Sequence, residues 1–235
     1  MQRAYDNIIH DVAIQKLNVV LCIDRAGIVG ADGVTHQGLF DLAYLRIIPN
    51  LTIAAPRNEH ELRNLMFTAQ LPDMGPFAIR YPRGYGFSAD WKNEFKKLEI
   101  GKGEMLKDGS EIAVISVGTM AYTVTKAIEI IENEKDIKIA HYDLRFVKPL
   151  DTEMLNEISK RFEKIIVVED GVINGGAGSA ILEFFAENNI SPKIKLLGIP
   201  NCFVEHGSQA ELYKKFGLDV EGIAREILSF YQRNS

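Results

Sequence analysis

Short apolar blocks punctuate the first part of the chain: LNVVLCI at 17–23, LTIAA at 51–55 and PFAIRY at 76–81. Blocks this short, rich in β-branched and aromatic residues and bounded by turn residues, predict strands. Between them the apolar positions change period. Ala4, Ile8, Ile9, Val12 and Ala13 recur at helical spacing, and NEHE at 58–61 reads as a capping box opening the helix HELRNLMFTAQ. Strand, helix, strand in that order predicts parallel pairing with right-handed crossovers.

From 82 to 110 the pattern loosens into PRGYGFSADWKNEFKKLEIGKGEMLKDGS, whose five glycines, one proline and charge run predict a linker followed by an edge hairpin. KNEFKK reads as a solvated charge run, with Trp91 beside it as the linker's anchor. A second series follows: EIAVISVG at 111–118, a helix at 120–134, IKIAHYDL at 137–144, a helix from Asp151, KIIVVED at 164–170, a helix from Gly176 and IKLLGIP at 194–200. SQAE at 208–211 is another capping box, and 219–232 is amphipathic. The fold class is α/β, with two doubly wound domains over 1–88 and 111–235 joined by 89–110.

Composition then narrows the partners. With 46% hydrophobic and 25% charged residues the chain is ordinary globular material, and a net charge of -5 with no basic cluster excludes a general nucleic-acid surface. Small molecules or protein are the expected partners. Cys22 and Cys202, far apart and beside apolar residues, suggest neither a disulfide nor a zinc site and fit a reducing cytoplasm. The opening MQRAYDNIIHDVA has no signal-peptide core and no run of bilayer length, so no membrane partner is expected, and it reads as mid-domain helix.

The densest polar chemistry is CIDRAGIVGADGVTHQG, Cys22 to Gly38, at the predicted carboxyl end of the first strand. Open α/β sheets bind ligands at such ends. Gly27, Gly30 and Gly33 allow tight turns, while Arg25, Asp32 and His36 offer a fixed cation, an acceptor and a titratable group. The glycine spacing is not that of a dinucleotide loop. A loop held by an Arg–Asp pair would serve equally well as an explanation of these residues alone. IRYPRG at 79–84 shifts the balance, because two strand ends of one sheet that both offer arginine suggest an anion site.

These residues carry a family resemblance. QRAYDNIIHDVAIQKLNVVLCIDRAGIVGADGVTHQGLFDLAYLRIIPN, IRYPRG, VVEDGVINGGAGSA and FVEHG resemble the 1-deoxy-D-xylulose 5-phosphate synthase family, thiamine diphosphate enzymes related to transketolase. The resemblance implies a truncated transketolase-like pyrimidine-binding domain followed by a transketolase C-terminal domain. It further implies condensation of pyruvate with D-glyceraldehyde 3-phosphate, feeding isoprenoid and thiamine biosynthesis, in a cytoplasmic homodimer that uses thiamine diphosphate and magnesium. By resemblance Arg25 and Arg83 hold the acceptor's phosphate, Asp32 and His36 sit at the reacting carbons, and Arg3 belongs to the cofactor and substrate pocket.

The family's GDG motif, its magnesium-binding asparagine and its catalytic glutamate have no counterpart here, since the matching positions lie before QRAYD. The chain alone is therefore expected to be inactive and to bind the cofactor poorly, with no metal ligands of its own, and to need a missing N-terminal part or a separate subunit. Alternatives are a subunit of a split transketolase, a pyruvate dehydrogenase beta-like chain, or a non-catalytic interaction module on the same fold. The other histidines are given structural readings: His10 as a helix residue, His60 as solvated, His141 as half-buried, and His206 as remote from the chemistry. The GGAG glycines before a helix invite an anion. Without Walker residues, helix packing or a subunit contact is the better expectation for them.

Overall fold

The computed structural model describes residues 1–86 and 92–233; Trp91, the expected linker anchor, lies outside them. Two sheets organise the chain. The first is built from β1 (Val20–Ile23), β2 (Thr52–Ala54) and β3 (Phe77–Arg80), joined by α2 (Asp41–Leu45) and α3 (Glu59–Ala69). β3 lies between β1 and β2 and pairs with both in parallel. The N-terminal segment is helical as its periodicity implies, but after a turn at Tyr5–Asn7 (α1) it winds as a π-helix over Ile8–Ala13. Its two buried residues are Ile8 and Ala13, five apart, the spacing that a π turn brings onto one face.

The second sheet contains β4 (Glu104–Lys107), β5 (Ile112–Ser116), β6 (Ile139–Asp143), β8 (Lys164–Val172) and β9 (Lys193–Ile199), in the order β4-β6-β5-β8-β9. α4 (Met120–Glu134) and α8 (Val220–Gln232) cover one face through Val124, Ile128, Ile223 and Ile227. α5 (Thr152–Arg161) and α6 (Ala177–Glu187) cover the other through Leu155, Ile158, Ile181 and Phe185. α7 (Gln209–Lys215) starts at the complete Ser208–Glu211 capping box. The other box is half formed: Asn58 accepts from the Glu61 N–H, but Glu61 reaches back to the Arg57 N–H and to the Arg145 guanidinium.

Two expectations need correction. The edge hairpin is an edge strand only, because β4 pairs antiparallel with β6 and not with its chain neighbour β5. Gly109 makes this possible: a Cβ there would lie 2.3 Å from the Ala140 nitrogen, so only glycine lets the backbone cross so close to β6. The two units are also less separate than a linker implies. β7 (Phe146–Lys148) leaves the second sheet and pairs antiparallel with β2, and one apolar cluster joins Ile53 and Leu45 to Ile115, Val167 and Phe185. Residues 96–98 of the linker run along α3, with the Lys96 and Leu98 N–H groups donating to Asn64 Oδ1 and Thr68 Oγ1.

A charged cluster seals the same junction. Arg57 donates to Glu104 and Asp143 at 2.9 and 3.0 Å, and Arg145 pairs with Glu61 and Glu104. Two cations face three acids. Burial, with Glu61's charge added, pushes the Asp143 carboxyl up to about 8 against the pull of Arg57 and Arg145.

Candidate active site

Parallel pairing of β1 with β3 sets the site's position. Ile23 lies opposite Arg80, so the chain after each strand emerges side by side, bringing Arg25 and Arg83 together. Both converge on Asp32. Arg83 Nη1 is 2.8 Å and Arg25 Nε 3.6 Å from its Oδ2, leaving one positive charge of the three groups uncompensated. The Asp32 side chain is 26% exposed and those of Arg25 and Arg83 are 44% and 54% exposed, although Arg25 Nε itself is buried without a hydrogen-bond partner.

Arg25 adopts φ 62, a left-handed conformation that a bulky residue keeps only when its surroundings impose it. They do so here. The Ala26 N–H donates to Tyr81, and Gly27 and Gly38 exchange hydrogen bonds of 2.8 and 3.0 Å that close residues 27–38 into a stemmed loop. Gln37 Oε1 accepts from the Val29 N–H across the loop.

The other candidates are placed differently. His36 is exposed two residues before the stem's Gly38, its Nδ1 3.0 Å from Thr35 Oγ1. Arg3 is exposed on the turn Gln2–Ala4 and forms no ion pair with the site arginines' partner Asp32. Arg80, the other arginine of IRYPRG, is 3% exposed and serves the interior. Its strand position announces this: it stands at the last ladder pair, still inside the sheet, whereas Arg83 lies beyond it.

The second unit comes closer to the loop than the reading of FVEHG supposes. Gln37 Nε2 donates to the Glu205 carbonyl, Gln209 Nε2 to the Ile28 carbonyl, and a Cβ on Gly33 would sit 3.6 Å from that of His206. Ile28 and Leu39, at 0% and 1% exposure, are buried in the second sheet's cluster. Nothing in the sequence marks Gln37, on the loop, or Gln209, in the first turn of α7, for these contacts. Beside Arg83 opens a cleft of about 1450 Å³ whose other walls include Lys126, Tyr213 and Arg225.

The GGAG segment already holds an anion, one from its own chain. Glu169, 1% exposed, accepts from the Ala177 and Gly178 N–H groups at 3.0 and 2.9 Å, at the start of α6. A Cβ at Gly176 or Gly178 would lie 2.3 or 3.3 Å from its carboxylate, so the glycines make room for it. Burial pushes Glu169 up to about 7 despite these two donors. Among the described residues no group of three or more His, Cys, Asp or Glu could hold a metal ion. The GGAG amides, taken by Glu169, are not free to hold a diphosphate. Among them, too, no helix is long and apolar enough to cross a membrane.

Residues 1–86 match the transketolase pyrimidine binding domain and residues 101–223 the transketolase C-terminal domain. The chain belongs to the transketolase family. Within it, the chain is 62% identical over 230 residues to the 1-deoxy-D-xylulose-5-phosphate synthase of Phocaeicola vulgatus and 60% identical over 227 residues to that of Bacteroides fragilis. The alignments take in 98% and 97% of this chain but 36% and 35% of those proteins, so it spans about a third of the length of the curated relatives it matches. Its fold is also similar, with TM-score 0.84 and 27% identity over 97% of this chain and 72% of the other, to a split gene transketolase described as an inactive beta4 tetramer.

Proposed function

We propose that this chain is the C-terminal part of a 1-deoxy-D-xylulose 5-phosphate synthase, working in the cytoplasm as a homodimer in its complete form. The complete enzyme condenses pyruvate with D-glyceraldehyde 3-phosphate, releasing carbon dioxide. Thiamine diphosphate with magnesium supplies the carbanion chemistry when bound. This chain's contribution is to the acceptor. Arg25 and Arg83 take its phosphate, for which paired guanidinium groups are well matched. His36 and Asp32 stand at the reacting carbons, where an imidazole can hydrogen-bond the condensing oxygen and move a proton. Arg3 borders the same pocket from the N-terminal turn. Alone, the chain is inactive, because the metal and diphosphate are held by the polypeptide that completes it.

The observation that carries this reading is the convergence of Arg25 and Arg83, from two adjacent strand ends, on one carboxylate. In the complete synthase, Arg25→Ala or Arg83→Ala is expected to raise KM for D-glyceraldehyde 3-phosphate far more than KM for pyruvate. An equal loss for both substrates would sink the phosphate assignment.

A second reading, a subunit of a split enzyme, is favoured by the similarity to the split gene transketolase, of whose chain 72% is covered. An immunoblot of source extract separates the two. A band far above 26.3 kDa supports the synthase, and one near 26.3 kDa supports the subunit.

A further inference from the structure

The stem of the Arg25 loop rests on a buried ion network, one carboxylate of which belongs to the second sheet. Arg80 donates through Nε to Asp41 Oδ1 at 2.7 Å, through Nη1 to Asp170 Oδ1 at 2.5 Å, and through Nη2 to the Gly38 carbonyl at 2.9 Å. Gly38 is one half of the stem. The other half, Gly27, has φ +70, and a Cβ there would lie 2.4 Å from Asp170 Oδ2. Asp170 thus packs against Gly27 with one oxygen and with the other holds Arg80, which in turn holds Gly38. Arg80, Asp41 and Asp170 are 3%, 4% and 2% exposed, so none of them can reach a ligand at the surface.

Other contacts tie the stem to the same unit. The Val172 N–H, two residues beyond Asp170, donates to the Leu39 carbonyl at 2.9 Å. The cation also sits where the two site strands meet: Arg80 ends β3, three residues before Arg83, and its guanidinium supports the stem that begins two residues after Arg25. A shift of Asp170 would therefore move one arginine relative to the other.

We propose that Asp170 is a positioning residue: through Arg80 and Gly27 the C-terminal unit sets the separation of Arg25 and Arg83, and hence the fit of the acceptor's phosphate. This deepens the proposed function and rests on its phosphate reading. It also gives the DG of VVEDGVINGG a role, since the residue after Asp170 is Gly171, where a Cβ would lie 3.2 Å from the Leu39 carbonyl oxygen. A buried carboxylate beside a cation is otherwise explained by stability alone, so the test must read position as well.

Two measurements on Asp170→Asn do this. In the chain itself, hydrogen exchange of the Gly27 and Gly38 amides is expected to quicken by about tenfold while the amides of β5 keep their protection, as for a local opening. In the complete synthase, KM for D-glyceraldehyde 3-phosphate is expected to rise roughly tenfold with kcat and the pyruvate KM within about twofold, as for one weakened hydrogen bond to a charged group. Should Asp170→Asn fail to fold, Arg80→Lys keeps the cation but cannot hold Asp170 and the Gly38 carbonyl together, and is expected to give the same two results. Unchanged stem exchange, or faster exchange spread evenly over the second sheet, would overturn the proposal. An opened stem with equal losses for both substrates would keep Asp170's hold on the stem and sink the phosphate reading.

Discussion

Replacing Glu169 with glutamine isolates the effect of an anion enclosed at a helix start. The carboxylate accepts two backbone N–H groups at 3.0 and 2.9 Å in a pocket cleared by glycines, yet burial still pushes it up to about 7 from 4.5. The folded chain therefore holds this proton to higher pH than the unfolded chain does. Stability must fall as pH rises between those values, because there the folded state binds more protons. The shift corresponds to about 3 kcal/mol, lost between about pH 4.5 and pH 8.5. Glu169→Gln does not titrate and turns an NH2 toward one of the two donors, an unsatisfied buried group costing ~1–3 kcal/mol. Near pH 4.5 the variant is expected to be less stable than the native chain, and by pH 8.5 the gap should close or reverse. Urea unfolding of both proteins across that range measures the gap, with every other group common to the two. A gap that stays constant, or widens with pH, would refute the reasoning by showing that the two N–H bonds outweigh burial.

Two further outcomes follow from buried groups. Burial pushes His141 down to about 4, its ring contacting Ser116 and Thr125, so its NMR signals should remain those of a neutral imidazole until well below 6.5; titration near 6.5 would contradict this placement. Its stability contribution is present above 6.5 and is lost as pH falls toward 4, the unfolded chain then binding the proton first. Arg57→Met removes the cation shared by Glu61, Glu104 and Asp143 and is expected to cost ~3 kcal/mol, more at pH 8.5 than at pH 6, since a protonated Asp143 needs no partner; chemical denaturation at both values checks this.

The strands, most helices and the arginine-bearing strand ends were legible in the sequence because each follows from local periodicity and turn chemistry. LNVVLCI and PFAIRY identify two strands, and adjacency of their ends follows once they pair in parallel. What stayed hidden was non-local. Nothing in KDGS says that Gly109 carries the chain across β6, and RFVKP gives no sign that Phe146 to Lys148 complete the other sheet. VVED reads as a strand end, but the functions of its two acids depend on what the fold brings to them: Glu169 meets its own helix and Asp170 meets Arg80. His60 illustrates the same limit, since its Nδ1 is buried without a hydrogen-bond partner where its position in the first helical turn suggested solvent.

The most direct measurement compares D-glyceraldehyde 3-phosphate with unphosphorylated D-glyceraldehyde as acceptor, in the complete synthase and its Arg83→Ala variant. If Arg25 and Arg83 hold the phosphate, kcat/KM for the phosphorylated acceptor falls about 10- to 100-fold, the equivalent of ~1.5–3 kcal/mol for a hydrogen bond to a charged group. The value for D-glyceraldehyde then stays within about twofold, since only the phosphorylated acceptor offers the guanidinium a charged partner. An equal fall for both acceptors would contradict the central claim and leave Arg83 as a support for its loop.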